Sequence, residues 1–175
     1  MNLDYEKISI NISAQQLKDP YFLPFIEELL HNTKCDPDWI EFEIIESFII
    51  EDITGALNVL KKINKIGINI SLDDFGTGYS SLSYLKNLPI NKLKIDKSFI
   101  DDIPFDENDK IITKTIINLA NDMNLEVLAE GVETIEQEKF LLENGCSLAQ
   151  GYLYDKPLSV EKINKMLLKE IIKTD

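Results

Sequence analysis

The sequence predicts an α/β fold in which the strands of a parallel sheet alternate with helices. A short apolar strand, a polar residue at its end and an amphipathic helix recur about every 25–30 residues. Polar residues end six consecutive predicted strands, which favours a barrel over an open doubly wound sheet, since every barrel strand ends at one shared mouth. The 175 residues are fewer than the about 250 of a complete (β/α)8 barrel. We therefore expect a TIM-type barrel that lacks its first strands and helix, with about six βα units present.

Each predicted element has a local signal in the sequence. Asp19-Pro20 marks the start of the first helix, and Gly67 ends the second as a left-handed cap. The predicted strands are Lys7–Ile12, Ile40–Ile45, Ile68–Leu72, Lys92–Ile95, Val127–Ala129 and Ser147–Tyr152. The predicted helices are Tyr21–Asn32, Thr54–Ile66, Ser80–Lys86, Asn108–Met123, Thr134–Glu143 and Val160–Ile172.

Composition excludes several classes of function. The net charge of −13 repels phosphate backbones and anionic membranes, so general nucleic-acid binding and membrane contact by this segment are not expected. The chain contains no arginine and a single histidine, which excludes bidentate Arg–phosphate contacts and a His-rich zinc site. Two cysteines are too few for a disulfide framework. With no membrane-length apolar run and no signal peptide at its start, the chain is expected to be cytoplasmic.

The sharpest local motif begins with two adjacent carboxylates, Asp73 and Asp74, followed by a glycine-rich segment. Like charges this close resist joint ionisation unless a cation compensates them, and oxygen ligands select hard cations such as Mg²⁺, Mn²⁺ or Ca²⁺. A solvated acidic turn before a helix is the simpler alternative. A dinucleotide-binding loop at Gly76-x-Gly78 is rejected, because Ser81 replaces its third glycine and the carboxylates stand where a pyrophosphate would approach.

Other charged residues share strand faces in the same region. Alternation puts Glu41 and Glu43 on one face of the second strand. It does the same for Lys92, Lys94 and Asp96 in the fourth, where a lysine could stabilise charge on a phosphate. A solvated edge strand and a plain salt-bridge network remain the alternatives.

Further polar residues follow the last two strands. Glu130 ends the apolar fifth strand, and Gln150 lies in the sixth. Glu133 stands just before a helix, where an acidic residue is also favoured by the helix dipole alone.

Together these segments resemble the EAL domain, a bacterial phosphodiesterase that hydrolyses cyclic di-GMP and folds as a modified (β/α)8 barrel. The matching stretches occur in the family's order across essentially the whole chain: Ile8–Ala14, Phe42–Ser47, Asp73–Ser81, Leu93–Asp96, Leu128–Thr134 and Gln150–Tyr152.

The resemblance implies a two-metal site and a role for each matched residue. Asn11, Glu43 and Asp73 would bind one Mg²⁺ or Mn²⁺, and Asp73, Asp74 and Glu130 a second, with Ca²⁺ inhibitory. Lys94, Glu130 and Asp74 are the implied catalytic residues, with Lys94 orienting the water or neutralising charge. The implied product is linear pGpG. Glu46 would hold the loop after the third strand, and Asp96, Glu133 and Gln150 would support the site or the substrate.

The sequence also departs from the family pattern. It contains no Glu-Ala-Leu tripeptide and no arginine to grip the substrate phosphate. We expect residues 1–175 to form the C-terminal two-thirds of the domain, with the missing ligand upstream. The sequence does not predict which other domains the parent protein carries or whether they anchor it to a membrane. The isolated chain should then hydrolyse cyclic di-GMP slowly, and its exposed sheet edges should promote self-association. A non-catalytic module that binds cyclic di-GMP or a partner protein is the alternative.

Overall fold

The sheet consists of six parallel strands that follow one another in chain order. The computed structural model describes residues 7–77 and 82–173, without the side chains of 82, 83 and 167–173. The strands are β1 (Ile8–Asn11), β2 (Ile40–Ile45), β3 (Asn69–Phe75), β4 (Lys92–Ile95), β5 (Glu126–Ala129) and β6 (Leu148–Ala149). The helices are α1 (Ala14–Lys18), α2 (Phe22–Thr33), α3 (Glu46–Glu51), α4 (Ile53–Ile66), α5 (Leu82–Leu85), α6 (Glu107–Asp122), α7 (Ile135–Glu143) and α8 (Val160–Lys173).

This arrangement is a curled half-barrel, which confirms the predicted barrel class and the six βα units. Each strand pairs in parallel with the next, so all the strands end at the same rim. The carboxyl-terminal residues of different strands, distant in sequence, are therefore brought to one edge.

The two faces of the sheet differ in chemistry because side chains alternate along each strand. The outward side chains Ile44, Leu93 and Ile95 are fully buried beneath the helices. Leu60 of α4 and Ile117 of α6 are equally buried in the same core. The opposite face carries charged residues, and it is this face that positions the candidate site.

The sequence did not predict two of the short helices. Helix α1 begins with a capping box formed by Ser13 and Gln16. Helix α3 begins at Glu46, so Glu46 opens a helix rather than ending a strand. Both helices span five or six residues, too short for a distinctive apolar period.

Some predicted boundaries were also wrong. Strand β3 was predicted to end at Leu72. It continues to Phe75 through an irregularity in its pairing with β4. Strand β6 is only two residues long, so Gln150 follows it rather than lying within it. The first residues of the helix predicted at Ser80–Lys86, like Gly78 to Ser81 of the glycine-rich motif, lie outside the described residues.

Strand β1 leaves apolar side chains in solvent. Ile8 is 65% exposed and Ile10 is 42% exposed. Within the described residues β1 pairs with β2 alone.

Among the described helices, none combines the length and the apolar character needed to cross a bilayer.

Candidate metal centre and active site

Asp73 and Asp74 lie at the irregular end of β3, where the register with β4 shifts between Leu72 and Phe75. In a regular strand two adjacent side chains point to opposite faces. Asp74 instead has a left-handed backbone with φ of 56°, a conformation that aspartate tolerates better than most residues. This local break in the strand allows the two adjacent carboxylates to converge.

Glu130 completes a group of three carboxylates with Asp73 and Asp74. One oxygen from each of the three lies within 4.8 Å of the others. Glu130 directly follows β5, and its backbone N–H donates to the carbonyl of Ile95 in β4 at 3.1 Å. All three residues are half-buried. Oxygen donors this close together, partly shielded from water, match the ligand preference of Mg²⁺, Mn²⁺ or Ca²⁺.

A buried lysine lies at the centre of the carboxylates. Lys94 Nζ is 2.7 Å from Glu130 Oε1, 2.8 Å from Glu43 Oε2 and 2.9 Å from Asp73 Oδ1. Its side chain is 3% exposed, and those of its partners are 11–16% exposed. One ammonium group therefore joins acidic residues from β2, from β3 and from the end of β5.

Burial and charge shift the protonation equilibria of this cluster. Burial raises the pKa of Asp74, and the neighbouring carboxylates Asp73 and Asp96 raise it further. Burial also raises the pKa of Glu130, although its hydrogen bond to Lys94 opposes that shift. For Lys94, burial alone would lower the pKa, but the hydrogen bonds to Glu130, Glu43 and Asp73 outweigh it and raise the pKa. The lysine therefore remains an ammonium ion at neutral pH.

Asn11 and Glu43 lie side by side in the register of β1 and β2. The backbone of Ile12 donates to the carbonyl of Glu43 at 2.9 Å, which fixes the end of β1 beside this carboxylate. Asn11 has an exposed side chain, whereas Glu43 is joined to Asp73 and Glu130 through Lys94. The structure thus places both residues at the same rim as the carboxylate group.

The chain leaving β3 is held by Glu46, the first residue of α3. Glu46 Oε2 accepts a hydrogen bond from the backbone N–H of Gly76 at 3.2 Å. The hydroxyl of Tyr84 in α5 donates to the other oxygen of the same carboxylate. Glu46 is 2% exposed and Tyr84 is 6% exposed, so these contacts are sheltered from water. They connect the segment after the two aspartates to helices α3 and α5.

Three further predicted residues lie around the rim. Gln150 Nε2 donates to Glu130 Oε1 at 2.6 Å. Asp96 accepts hydrogen bonds from the backbone N–H and the hydroxyl of Ser98, which cap the turn after β4. Glu133 pairs with Lys97 at 2.7 Å. Gln150 thus contacts the carboxylate group through Glu130, and the side chain of Asp96 contacts it through a hydrogen bond with Asp74.

Two glycines permit the loop after β5 to approach the turn after β4 and the loop after β6 closely. A Cβ at Gly151 would lie 2.1 Å from the backbone oxygen of Val132. At Gly131, where φ is +69°, a Cβ would lie 2.3 Å from Cγ of Lys97. Val132 N–H donates to the carbonyl of Gln150 at 3.0 Å, so the close approach holds Gln150 beside Glu130.

A second buried ion pair lies one layer below, two residues earlier on β4. Lys92 Nζ is 2.8 Å from Glu41 Oε2 and 3.6 Å from Glu126 Oε2. Ser9 of β1 donates to Glu41 Oε1 at 3.0 Å. Glu41 is 1% exposed, and Lys92 is 9% exposed. This lower layer joins four residues across the sheet interior without reaching the rim.

Sequence reasoning missed two contributors to the site. Tyr84 lies in a predicted helix, but nothing in its local pattern identifies a partner 38 residues away. Lys97 follows Lys94 and Asp96 in one charged run, and that run was the available signal.

Comparison with known proteins identifies the family. A family model described as EAL domain matches residues 1–157. The signalling protein YkoW of Bacillus subtilis is 40% identical over 163 residues, which is 93% of this chain and 20% of YkoW. The cyclic di-GMP phosphodiesterase NbdA of Pseudomonas aeruginosa is 38% identical over 161 residues, 92% of this chain and 21% of NbdA. The chain thus spans about a fifth of the length of these curated relatives.

Solved structures show the same architecture. The MucR phosphodiesterase of Pseudomonas aeruginosa, in complex with cyclic di-GMP, superposes with a TM-score of 0.86 at 38% identity, covering 90% of this chain and 64% of that one. Klebsiella pneumoniae BlrP1, in a manganese and cyclic di-GMP complex, superposes with a TM-score of 0.81 at 29% identity, covering 89% of this chain and 40% of that one. A second BlrP1 structure holds calcium and cyclic di-GMP. The matched family model, the sequence relatives and the shared half-barrel establish that this chain belongs to the EAL domain family.

Proposed function

We propose that this chain is the C-terminal part of a metal-dependent phosphodiesterase that hydrolyses cyclic di-GMP to linear pGpG in bacterial second-messenger signalling. The observation that carries the proposal is the convergence of Asp73, Asp74 and Glu130 within 4.8 Å, with Lys94 hydrogen-bonded to two of them. The name of NbdA and the cyclic di-GMP complex of MucR support the substrate. The chain covers 64% of the MucR phosphodiesterase, which supports the assignment of residues 1–175 to about two-thirds of a domain.

The donor set fits divalent cations, since it supplies carboxylate oxygens at short range. We assign Asp73, Asp74 and Glu130 to one ion, and Asn11, Glu43 and Asp73 to a second. A bound pair of such ions supplies an activated water and neutralises charge on the phosphate. We expect Mg²⁺ or Mn²⁺ to support activity. Ca²⁺ should inhibit it, because Ca²⁺ prefers longer bonds and more ligands than Mg²⁺ accepts.

Of the remaining residues, Lys94 acts on the reacting groups, and the others position the site. Lys94 places a positive charge among the carboxylates, where it can orient a water or neutralise charge on the reacting phosphate. Glu46 fixes the segment after β3 through Gly76 and Tyr84. Gln150 holds one oxygen of Glu130, while Asp96 and Glu133 brace the adjoining turns.

We also propose a cytoplasmic location and self-association of the isolated chain. The exposed Ile8 and Ile10 on β1 support association, because the outer edge of β1 has no partner strand among the described residues, and apolar side chains beside such an edge recruit other chains. High salt should promote it by screening the charge of −13. Size-exclusion chromatography with light scattering at low and high salt should show growth in mass for the native chain and less growth for Ile10→Lys. A monomer under both conditions would contradict the proposal.

The hydrolysis test compares the chain alone with the same chain joined to an upstream segment that carries the family's Glu-Ala-Leu motif. Chromatography of cyclic di-GMP incubated with Mn²⁺ should show pGpG formed rapidly by the fusion and slowly by the chain alone. Chelation and Glu130→Gln in the fusion should both abolish turnover.

The competing function is a non-catalytic module that binds cyclic di-GMP or a partner protein. The absence of arginine, which removes bidentate phosphate contacts, favours that alternative. Cyclic di-GMP bound by the fusion but never cleaved would establish binding without catalysis and contradict the proposed hydrolysis. Full activity of the chain alone would instead show that the added segment supplies no essential ligand.

A further inference from the structure

The hydrogen bonds of Lys94 engage the same carboxylates that are assigned to metal. We propose that Lys94 is a built-in counter-ion that holds the site assembled before metal binds and then competes with metal for its ligands. This inference rests on the proposed metal site and concerns the role of one lysine within it.

The position of the Lys94 ammonium supports this role. The ammonium contacts Glu43, Asp73 and Glu130 at 2.7–2.9 Å, so it occupies the position of a cation shared by three carboxylates. These partners come from different strands of the sheet, and Glu43 is 51 residues away in sequence. Lys94 therefore holds together groups that have no local reason to lie close to one another.

The balance of charge around Lys94 also supports this role. Glu43, Asp73, Asp74 and Glu130 bring four negative charges together, and Lys94 returns one positive charge. Like charges at short range resist joint ionisation, and an unpaired buried charge is strongly unfavourable. Without metal, Lys94 is the cation that reduces this repulsion at the centre of the cluster.

Lys94 also shares two carboxylates with the proposed metal site. Asp73 and Glu130 contact Lys94 and also belong to the group that could hold a metal ion. A divalent cation bound there would be repelled by the ammonium and would draw electron density from the same carboxylates. Metal binding must therefore weaken the contacts of Lys94, so the lysine lowers metal affinity while it stabilises the metal-free site.

Lys92 provides a matched control. It lies on the same strand, is also buried, and pairs with Glu41 at 2.8 Å. Neither Glu41 nor its second partner Glu126 belongs to the three-carboxylate group. Removal of either lysine makes the chain more negative by one unit, so a difference between the two variants reports position rather than net charge.

The experiment measures Mn²⁺ affinity by titration calorimetry for the full chain, Lys94→Met and Lys92→Met at mildly alkaline pH. Lys94→Met should bind Mn²⁺ at least about tenfold more tightly than the native chain, since an ammonium within a few ångströms repels a divalent ion even at moderate dielectric. Lys92→Met should bind within about twofold of the native chain. Thermal unfolding should show a larger Mn²⁺-induced rise in Tm for Lys94→Met.

Unchanged or weaker binding by folded Lys94→Met, or equal tightening in Lys92→Met, would overturn the counter-ion role. Lys94→Met that is unfolded in chelator and folds when Mn²⁺ is added would support it, whereas a variant unfolded in both would contradict it. If the native chain itself binds no Mn²⁺, the proposed metal site fails, and the counter-ion role fails with it.

Discussion

Two lysines on the same strand, Lys92 and Lys94, lie in different electrostatic surroundings. Lys92, in the lower layer, faces one fully buried partner, Glu41, and one exposed partner, Glu126. Lys94, at the rim, contacts three shielded carboxylates, and Asp74 adds a fourth to the same cluster. Alternation of side chains along β4 puts both lysines on one face, but the acidic residues opposite them differ in number.

The difference in charge balance indicates that the lower layer contributes to stability, whereas the rim is suited to bind a cation. In the lower layer the buried charges are nearly balanced, and that layer joins β1, β2, β4 and β5. At the rim the carboxylates exceed the available positive charge, an excess that costs stability unless a cation binds. A partly buried cluster with unbalanced charge and raised carboxylate pKa values is typical of a functional site.

The largest expected effect breaks the lower layer. Lys92→Ala leaves Glu41 buried without its cation and should reduce the free energy of unfolding by about 3–5 kcal/mol. Chemical denaturation in chelator measures this loss. The double variant Lys92→Met with Glu41→Leu removes both charges and should retain most of the stability of the native chain. An equal loss in both variants would show that packing, rather than the charge pair, accounts for it.

The next effect concerns the rim and appears only with metal. At a free Mn²⁺ concentration about a hundred times its Kd, binding should stabilise the native chain by about 2.7 kcal/mol. Asp74→Asn should remove most of that gain while the metal-free stability stays close to native. Asp109→Asn is the control, since Asp109 lies in another acidic group beside Asp106 and Asp102. Full Mn²⁺ stabilisation of Asp74→Asn would exclude Asp74 as a ligand.

A smaller effect is expected at the support behind the rim. Tyr84→Phe removes the hydroxyl that donates to buried Glu46 and should cost about 1.5 kcal/mol, the lower end for a hydrogen bond to a charged group. Tyr154→Phe removes an exposed hydrogen bond to Glu138 and should cost less. Denaturation of the two variants side by side tests the difference. Equal losses would mean that burial of the Glu46 contact adds nothing.

The smallest effect is a dependence of metal stabilisation on pH. Raised pKa values of Asp74 and Glu130 mean that the folded state favours their protonated forms more than the unfolded state does. In chelator, these groups reduce stability once pH rises through their folded pKa values, and acidification relieves that cost. Bound metal needs both carboxylates ionised, so metal stabilisation should fall with acidification at a pH above the usual carboxylate range.

The raised pKa of Lys94 affects stability only at strongly alkaline pH. Its contribution is fully present below the ordinary lysine pKa of 10.5 and is lost only as pH rises through a still higher value. Lys94 therefore stays charged from mildly acidic to neutral pH, and changes in metal stabilisation across that range should come from Asp74 and Glu130 rather than from Lys94. Melting curves with and without Mn²⁺ across that range check this, and a Tm shift independent of pH would contradict it.

Strand alternation predicted which charged residues share one face of the sheet. It placed Glu41 with Glu43 and Lys92 with Lys94 on shared faces, and the structure has them so. The partners of each lysine could not be predicted, since they depend on the register between strands up to 51 residues apart. The left-handed turn at Asp74 was equally hidden, because it arises from a local shift in the pairing of β3 with β4.

The central claim is that the excess of carboxylates at the rim is a cation site. Anomalous diffraction from crystals of the chain soaked in Mn²⁺ tests it most directly. We expect a peak within about 2.6 Å of oxygens from Asp73, Asp74 and Glu130, the range of hard-cation bonds to oxygen. No peak there at a Mn²⁺ concentration that raises Tm, or peaks confined to other carboxylates, would contradict the claim.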